Sequence, residues 1–142
     1  MYNRRNLKAY KTTSLDAELA VADPHRVIQM LMQGALERVA QAKGAIERRD
    51  YEAKSYAISK AMAIINGLQD SLDLSHGQVP QDMMALYIYM KDRLTDASTH
   101  MDVAPLDEVT SLMSTIKSAW DQIPESVRQK AYAQQQSKGT TA

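Results

Sequence analysis

The chain has 142 residues, 44% of them apolar, and its 17 basic and 17 acidic side chains cancel. That length suits one domain with a workable core, and the charge balance argues against a nucleic-acid groove, a membrane surface or a strongly charged substrate. The absence of cysteine excludes disulfides and thiolate chemistry and agrees with a reducing compartment.

The opening "MYNRRNLKAYKTTS" carries positive charge with no apolar run behind it, so it does not read as a secretory signal. No apolar run reaches the length of a membrane span, and a cytoplasmic protein without membrane insertion is expected. Residues 1–22 read as a leader. Within it Leu7 and Tyr10 stand three apart among polar residues, a spacing that suits docking one face of a helical turn on an apolar surface.

Asp23 and Pro24 form an N-cap followed by proline at the first helical position, predicting a long amphipathic helix over 24–48. Ile28, Leu31, Ala35, Val39, Ala42 and Ile46 fall on one face of it. Asp50 can cap a second helix after a very short turn, which makes the two helices antiparallel. The second stripe is Ile58, Ala61, Ile65, Leu68 and Leu72.

Gly77 and Pro80 in "SHGQVP" mark a loop, and a third helix is expected over 80–100 with Met83, Leu86 or Tyr87, Met90, Leu94 and Ala97 inward. Pro105 starts the fourth, where Asp107 and Glu108 in the first turn favour the helix dipole. Its stripe is Leu106, Val109, Met113, Ile116, Trp120 and Ile123. No apolar–polar alternation predicts a strand. The reading is an all-α antiparallel up-down four-helix bundle over 23–123, with a polar C-terminal tail over 124–142 that is expected to fray beyond a helical turn or two.

Chemistry-bearing patterns are missing. A di-iron bundle needs inward Glu-x-x-His pairs, and no glutamate here is followed three places on by histidine. His25, His76 and His100 stand far apart, and none is placed mid-helix on a polar face as a phosphotransfer site requires. Gly34, Gly44 and Gly67 are isolated within helices instead of forming a phosphate cradle. Each costs about 1 kcal/mol relative to alanine, a cost usually explained by close approach of another backbone. No metal, no cofactor and no enzymatic activity are expected.

The run "ALYIYM", Ala85 to Met90, goes more than once around a helix, so it exceeds the single stripe that a bundle core uses. Met84, Ile88 and Tyr89 fall beside the core stripe of the third helix, Ala53, Ala57 and Ile64 beside that of the second, and Met32 and Leu36 beside that of the first. Such shoulders form a broad core, pair two copies of the chain, or make a hydrophobic groove for a segment of another protein. The last is energetically reasonable: burying four large side chains at roughly 1.5–3 kcal/mol each outweighs about 2–5 kcal/mol for ordering a disordered partner.

The set "LKAY", "ADPHRVIQMLMQGA", "SKAMAIINGLQDSLD", "LYIYM" and the "AW" of Ala119–Trp120, in this order from leader to fourth helix, resembles the FliS family of flagellin export chaperones. The resemblance implies a cytoplasmic helical bundle that binds the disordered C-terminal segment of flagellin, prevents its premature polymerisation, and delivers it to the export-gate membrane protein of the flagellar type III system. It further implies that Leu7 and Tyr10 belong to a capping segment that helps gate docking. The client groove would be lined from the second and third helices by Ile64, Ile65, Leu68, Leu86, Tyr87, Ile88, Tyr89 and Met90. Met32-Gln33 departs from the family's frequent aromatic-acid pair, and "SHGQVP" replaces a double-glycine acidic turn. The alternative is a client-free bundle that homodimerises through the same shoulders or serves as a regulator.

Overall fold

The computed structural model describes residues 23–130, and these fall into two compact units, 23–28 with 124–130, and 29–123. Four helices make up most of the described chain: α1 (Pro24–Glu47), α2 (Tyr51–Asp70), α3 (Gln78–His100) and α4 (Ala104–Asp121). No residue among those described is in a strand.

Local chemistry sets the helix ends. Asp23 accepts the Arg26 backbone N–H at 2.7 Å, satisfying one of the donors that every helix start leaves unpaired. At the far end of α1 the Asp50 N–H reaches back to the Ala45 carbonyl at 2.9 Å and that of Arg49 to Ile46 at 3.0 Å. Arg49 takes the left-handed conformation, φ 56°, that lets the chain leave the helix. Asp50 then caps α2 by accepting from the Ala53 N–H at 3.1 Å. The turn is too short for any arrangement but antiparallel neighbours.

Helix α3 begins at Gln78, two residues earlier than expected, because Pro80 is tolerated in a first turn where no intrahelical N–H is needed. Met101, φ 50°, closes it in the left-handed conformation. Residues 125–130, read as the start of a polar tail, are helical. In their unit Arg128 Nη1 donates to His25 Nδ1 at 3.3 Å.

Within residues 29–123 the helices run up and down around one core, and paired contacts fix each seam. Leu31 lies against Gly67 and Ile64 against Gly34 between α1 and α2. Lys54 meets Ser98, Lys91 meets Asn66 and Gln69 meets Met84 between α2 and α3. Tyr89 and Arg93 both meet Glu108 between α3 and α4. Gln29 bonds Asp121 at 2.8 Å and Lys43 bonds Asp107 at 2.8 Å between α1 and α4.

The core is the expected stripe in its middle layers: Ala35, Val39 and Ala42, then Ile58, Ala61, Ile65 and Leu68, then Met90, Leu94 and Ala97, and finally Leu106, Val109 and Met113. Where the reading left Leu86 or Tyr87 open, Tyr87 is the inward residue, since it shares one face with Met90, Leu94 and Ala97. Met32 and Ala57, read as shoulders, are enclosed at 1% and 3% exposure. The wide face they make buries more of α1 and α2 than a narrow stripe would.

The helical glycines receive side chains and not the backbone of a neighbour. A Cβ on Gly34 would meet Ile64 Cδ1 at 3.4 Å, and one on Gly67 would meet Leu31 Cδ1 at 4.0 Å. Close backbone approach therefore does not explain them.

Candidate functional site: the outward face of α3

The surplus apolar residues of "ALYIYM" divide by the helical pitch. Tyr87 and Met90 point into the bundle, 2% and 0% exposed, while Ile88 and Tyr89 remain 46% and 43% exposed. Ala85 is exposed and Leu86 half-buried beside them. The result is an apolar ridge along the outward side of α3, bordered by Met84 toward α2 and by Tyr89 toward α4.

Tyr89 is held at the α4 border by a polar cluster. Its hydroxyl donates to Glu108 Oε1, while Arg93 Nε donates to Glu108 Oε2 at 3.1 Å and Arg93 Nη1 to Asp96 Oδ2 at 3.0 Å. The hydrogen bond to Glu108, with a contribution from desolvation, raises the Tyr89 pKa, so the phenol stays a donor across the physiological range. The hydroxyl is thereby tethered to α4 while much of the residue stays exposed, an arrangement suited to contact with another polypeptide.

The other expected groove residues do not converge on this face. Ile65 and Leu68 are 0% exposed and, like Tyr87 and Met90, belong to the core, so none of the four can touch a client while the bundle stays closed. Ile64 is half-buried at the α1–α2 seam opposite Gly34, on a different side from Tyr89. Among the described residues these expected positions therefore do not line a single trough, and those of them that are exposed lie on the α3 ridge. Leu7 and Tyr10 lie outside the described residues.

Two features of the borders were not legible in the sequence. Gln69 donates from Nε2 to the Met84 thioether at 3.0 Å across the α2–α3 seam. Glu108, read only as a dipole partner, anchors both Tyr89 and Arg93. Each depends on a partner from another helix, which no periodicity within one segment reveals. The exposed Leu74 and Val79 near the α2–α3 turn, 45% and 72% exposed, were likewise not singled out.

Two open hollows of the described surface lie elsewhere, one at the start of α2 around Asp50 and Tyr56 and another between α1 and α4 around Leu36 and Lys117. Among the described residues no group of three or more His, Cys, Asp or Glu is placed to hold a metal ion. No helix among them is long and apolar enough to cross a membrane.

The architecture and this ridge define a helical bundle that leaves an apolar face of one helix open to solvent. The chain belongs to the FliS family of flagellar secretion chaperones: the family model described as flagellar protein FliS matches residues 6–127. It is 45% identical over 124 residues to the flagellar secretion chaperone FliSB of Pseudomonas aeruginosa, covering 87% of this chain and 98% of that one. It is 39% identical to the flagellar secretion chaperone FliS of Vibrio cholerae over 85% of this chain and 90% of the relative. For the Salmonella typhimurium FliS the identity is 38%, over 87% and 93%.

Proposed function

We propose that this protein is a cytoplasmic flagellin export chaperone. It holds the C-terminal segment of flagellin on the α3 ridge, keeps it from assembling prematurely, and hands it to the export-gate membrane protein. The observation that carries the reading is the exposure of Ile88 and Tyr89 side by side on a face of α3 that the bundle leaves open to solvent. The mechanism is competition: a segment occupied on the ridge is unavailable for filament contacts, and its free concentration falls by mass action. Release requires a competing contact at the gate. Leu7 and Tyr10 act as the cap that covers the surface between clients and assists gate docking.

Mixing the protein with flagellin at low micromolar concentration and following the mixture by calorimetry and size-exclusion tests this. A stoichiometric complex is expected, lost when the C-terminal segment of flagellin is deleted. Ile88→Glu and Tyr89→Asp should weaken it while helicity is unchanged. Unchanged affinity in both variants would overturn the assignment to the α3 ridge, and a homodimer that ignores flagellin would overturn the chaperone reading.

A further inference from the structure

Gln69 sits at the α2 border of the ridge with an incomplete set of hydrogen bonds. Its Oε1 is shut off from solvent and has no partner, while its Nε2 is engaged only by the Met84 sulfur, a weak acceptor. Turning the amide over does not help, because Nε2 would then be the unpaired end and the oxygen would face sulfur. An enclosed amide oxygen with no protein partner is uncommon in native proteins, and it marks a point where an incoming donor would gain a hydrogen bond.

Its surroundings suggest how such a partner arrives. Met84 is half-buried, unbranched and turns about three side-chain bonds, so it can swing off Gln69 at small cost. It stands one turn before Ile88 on α3, so a segment laid along the ridge passes over it. The neighbouring seam contact, Lys91 Nζ to Asn66 Oδ1 at 2.9 Å, is complete and does not compete for Gln69.

We infer that Gln69 is the polar anchor of the client site: Met84 covers its amide in the free protein, and an amide of the docked flagellin segment displaces the thioether and pairs with it. The inference rests on the chaperone reading above. An apolar ridge alone tolerates a segment sliding along it, whereas one buried amide-to-amide pair fixes register, because any other register leaves Gln69 unpaired. Recognition would thus be specific for a client with a peptide or side-chain amide free at that point, such as an extended stretch or an Asn or Gln.

The test is calorimetric titration of the wild type, Gln69→Met and Gln69→Leu with the C-terminal segment of flagellin, alongside thermal melts of each protein alone. The expected result is binding weakened about tenfold or more in both variants, with Tm unchanged or raised because the orphaned amide is gone. Affinity within twofold of the wild type overturns the anchor, and so does a loss of affinity that follows a loss of Tm, which is what a purely structural role produces. If the wild type itself does not bind the segment, the chaperone reading fails and this inference fails with it.

Discussion

Lys54, near the start of α2, donates from Nζ to the Ser98 carbonyl at 3.1 Å and to the Ser98 hydroxyl at 3.2 Å, in the last turn of α3. The side chain is only 9% exposed: its methylenes pack in the seam and its ammonium meets a helix end, where unpaired carbonyls and the dipole favour a cation. Lys54→Ala should therefore cost about 2 kcal/mol in urea unfolding, and Lys54→Met, which keeps the stem, about half of that. Lys117 pairs with Asp121 at 2.7 Å on the surface, and Lys117→Ala should change stability by less than about 0.5 kcal/mol.

Burial pushes the Tyr87 pKa up from 10.0 to about 12, because the phenolate has no water in the core. The unfolded chain ionises first. The contribution of Tyr87 is therefore fully present below pH 10 and is lost as pH rises from 10 toward 12, amounting to roughly 3 kcal/mol. Comparing urea midpoints of wild type and Tyr87→Phe across that range checks it: the wild-type midpoint should fall relative to that of Tyr87→Phe as pH rises, and parallel curves would refute it.

The glycines of the α1–α2 seam should respond by size. Gly67→Ala leaves its new methyl 4.0 Å from Leu31 Cδ1 and gains helix propensity, so stability should rise by about 1 kcal/mol. Gly34→Ala is closer, 3.4 Å from Ile64 Cδ1, and should gain less. Gly34→Leu should destabilise, since the extra atoms occupy the space that Ile64 fills. Chemical denaturation of the three variants orders them.

Core and ridge should separate cleanly. Leu68→Ala and Met90→Ala remove fully buried side chains and should each cost about 2–5 kcal/mol. Ile88→Ala, on an exposed face, should stay within about 0.5 kcal/mol of the wild type in thermal unfolding. A large loss of stability at Ile88 would show that the ridge belongs to the fold.

How much of this was legible in the sequence varies by element. The Asp23 and Asp50 caps, the short turn before Asp50, and the inward Ile58, Ala61, Ile65 and Leu68 of α2 follow from chemistry within a few residues of each other and appear where the sequence puts them, whereas Leu72, expected in the same stripe, lies past the end of the helix and is half-buried. The choice between Leu86 and Tyr87 was open because six consecutive apolar residues suit several rotations of α3 about its own axis. Packing against α2 and α4 selected one rotation, with Met90, Leu94 and Ala97 inward.

The sequence by itself determined four amphipathic helices, their order and their antiparallel course, because helix periodicity, caps and loop length are local properties of the chain. Only the tertiary structure decided that Ile64 turns toward Gly34, that Tyr89 turns toward Glu108, and that Gln69 meets the Met84 sulfur with its Oε1 enclosed and without a protein partner. The physical reason is that a side chain's exposure and hydrogen-bond partners depend on what a neighbouring helix places against it, and residues distant in the chain supply that.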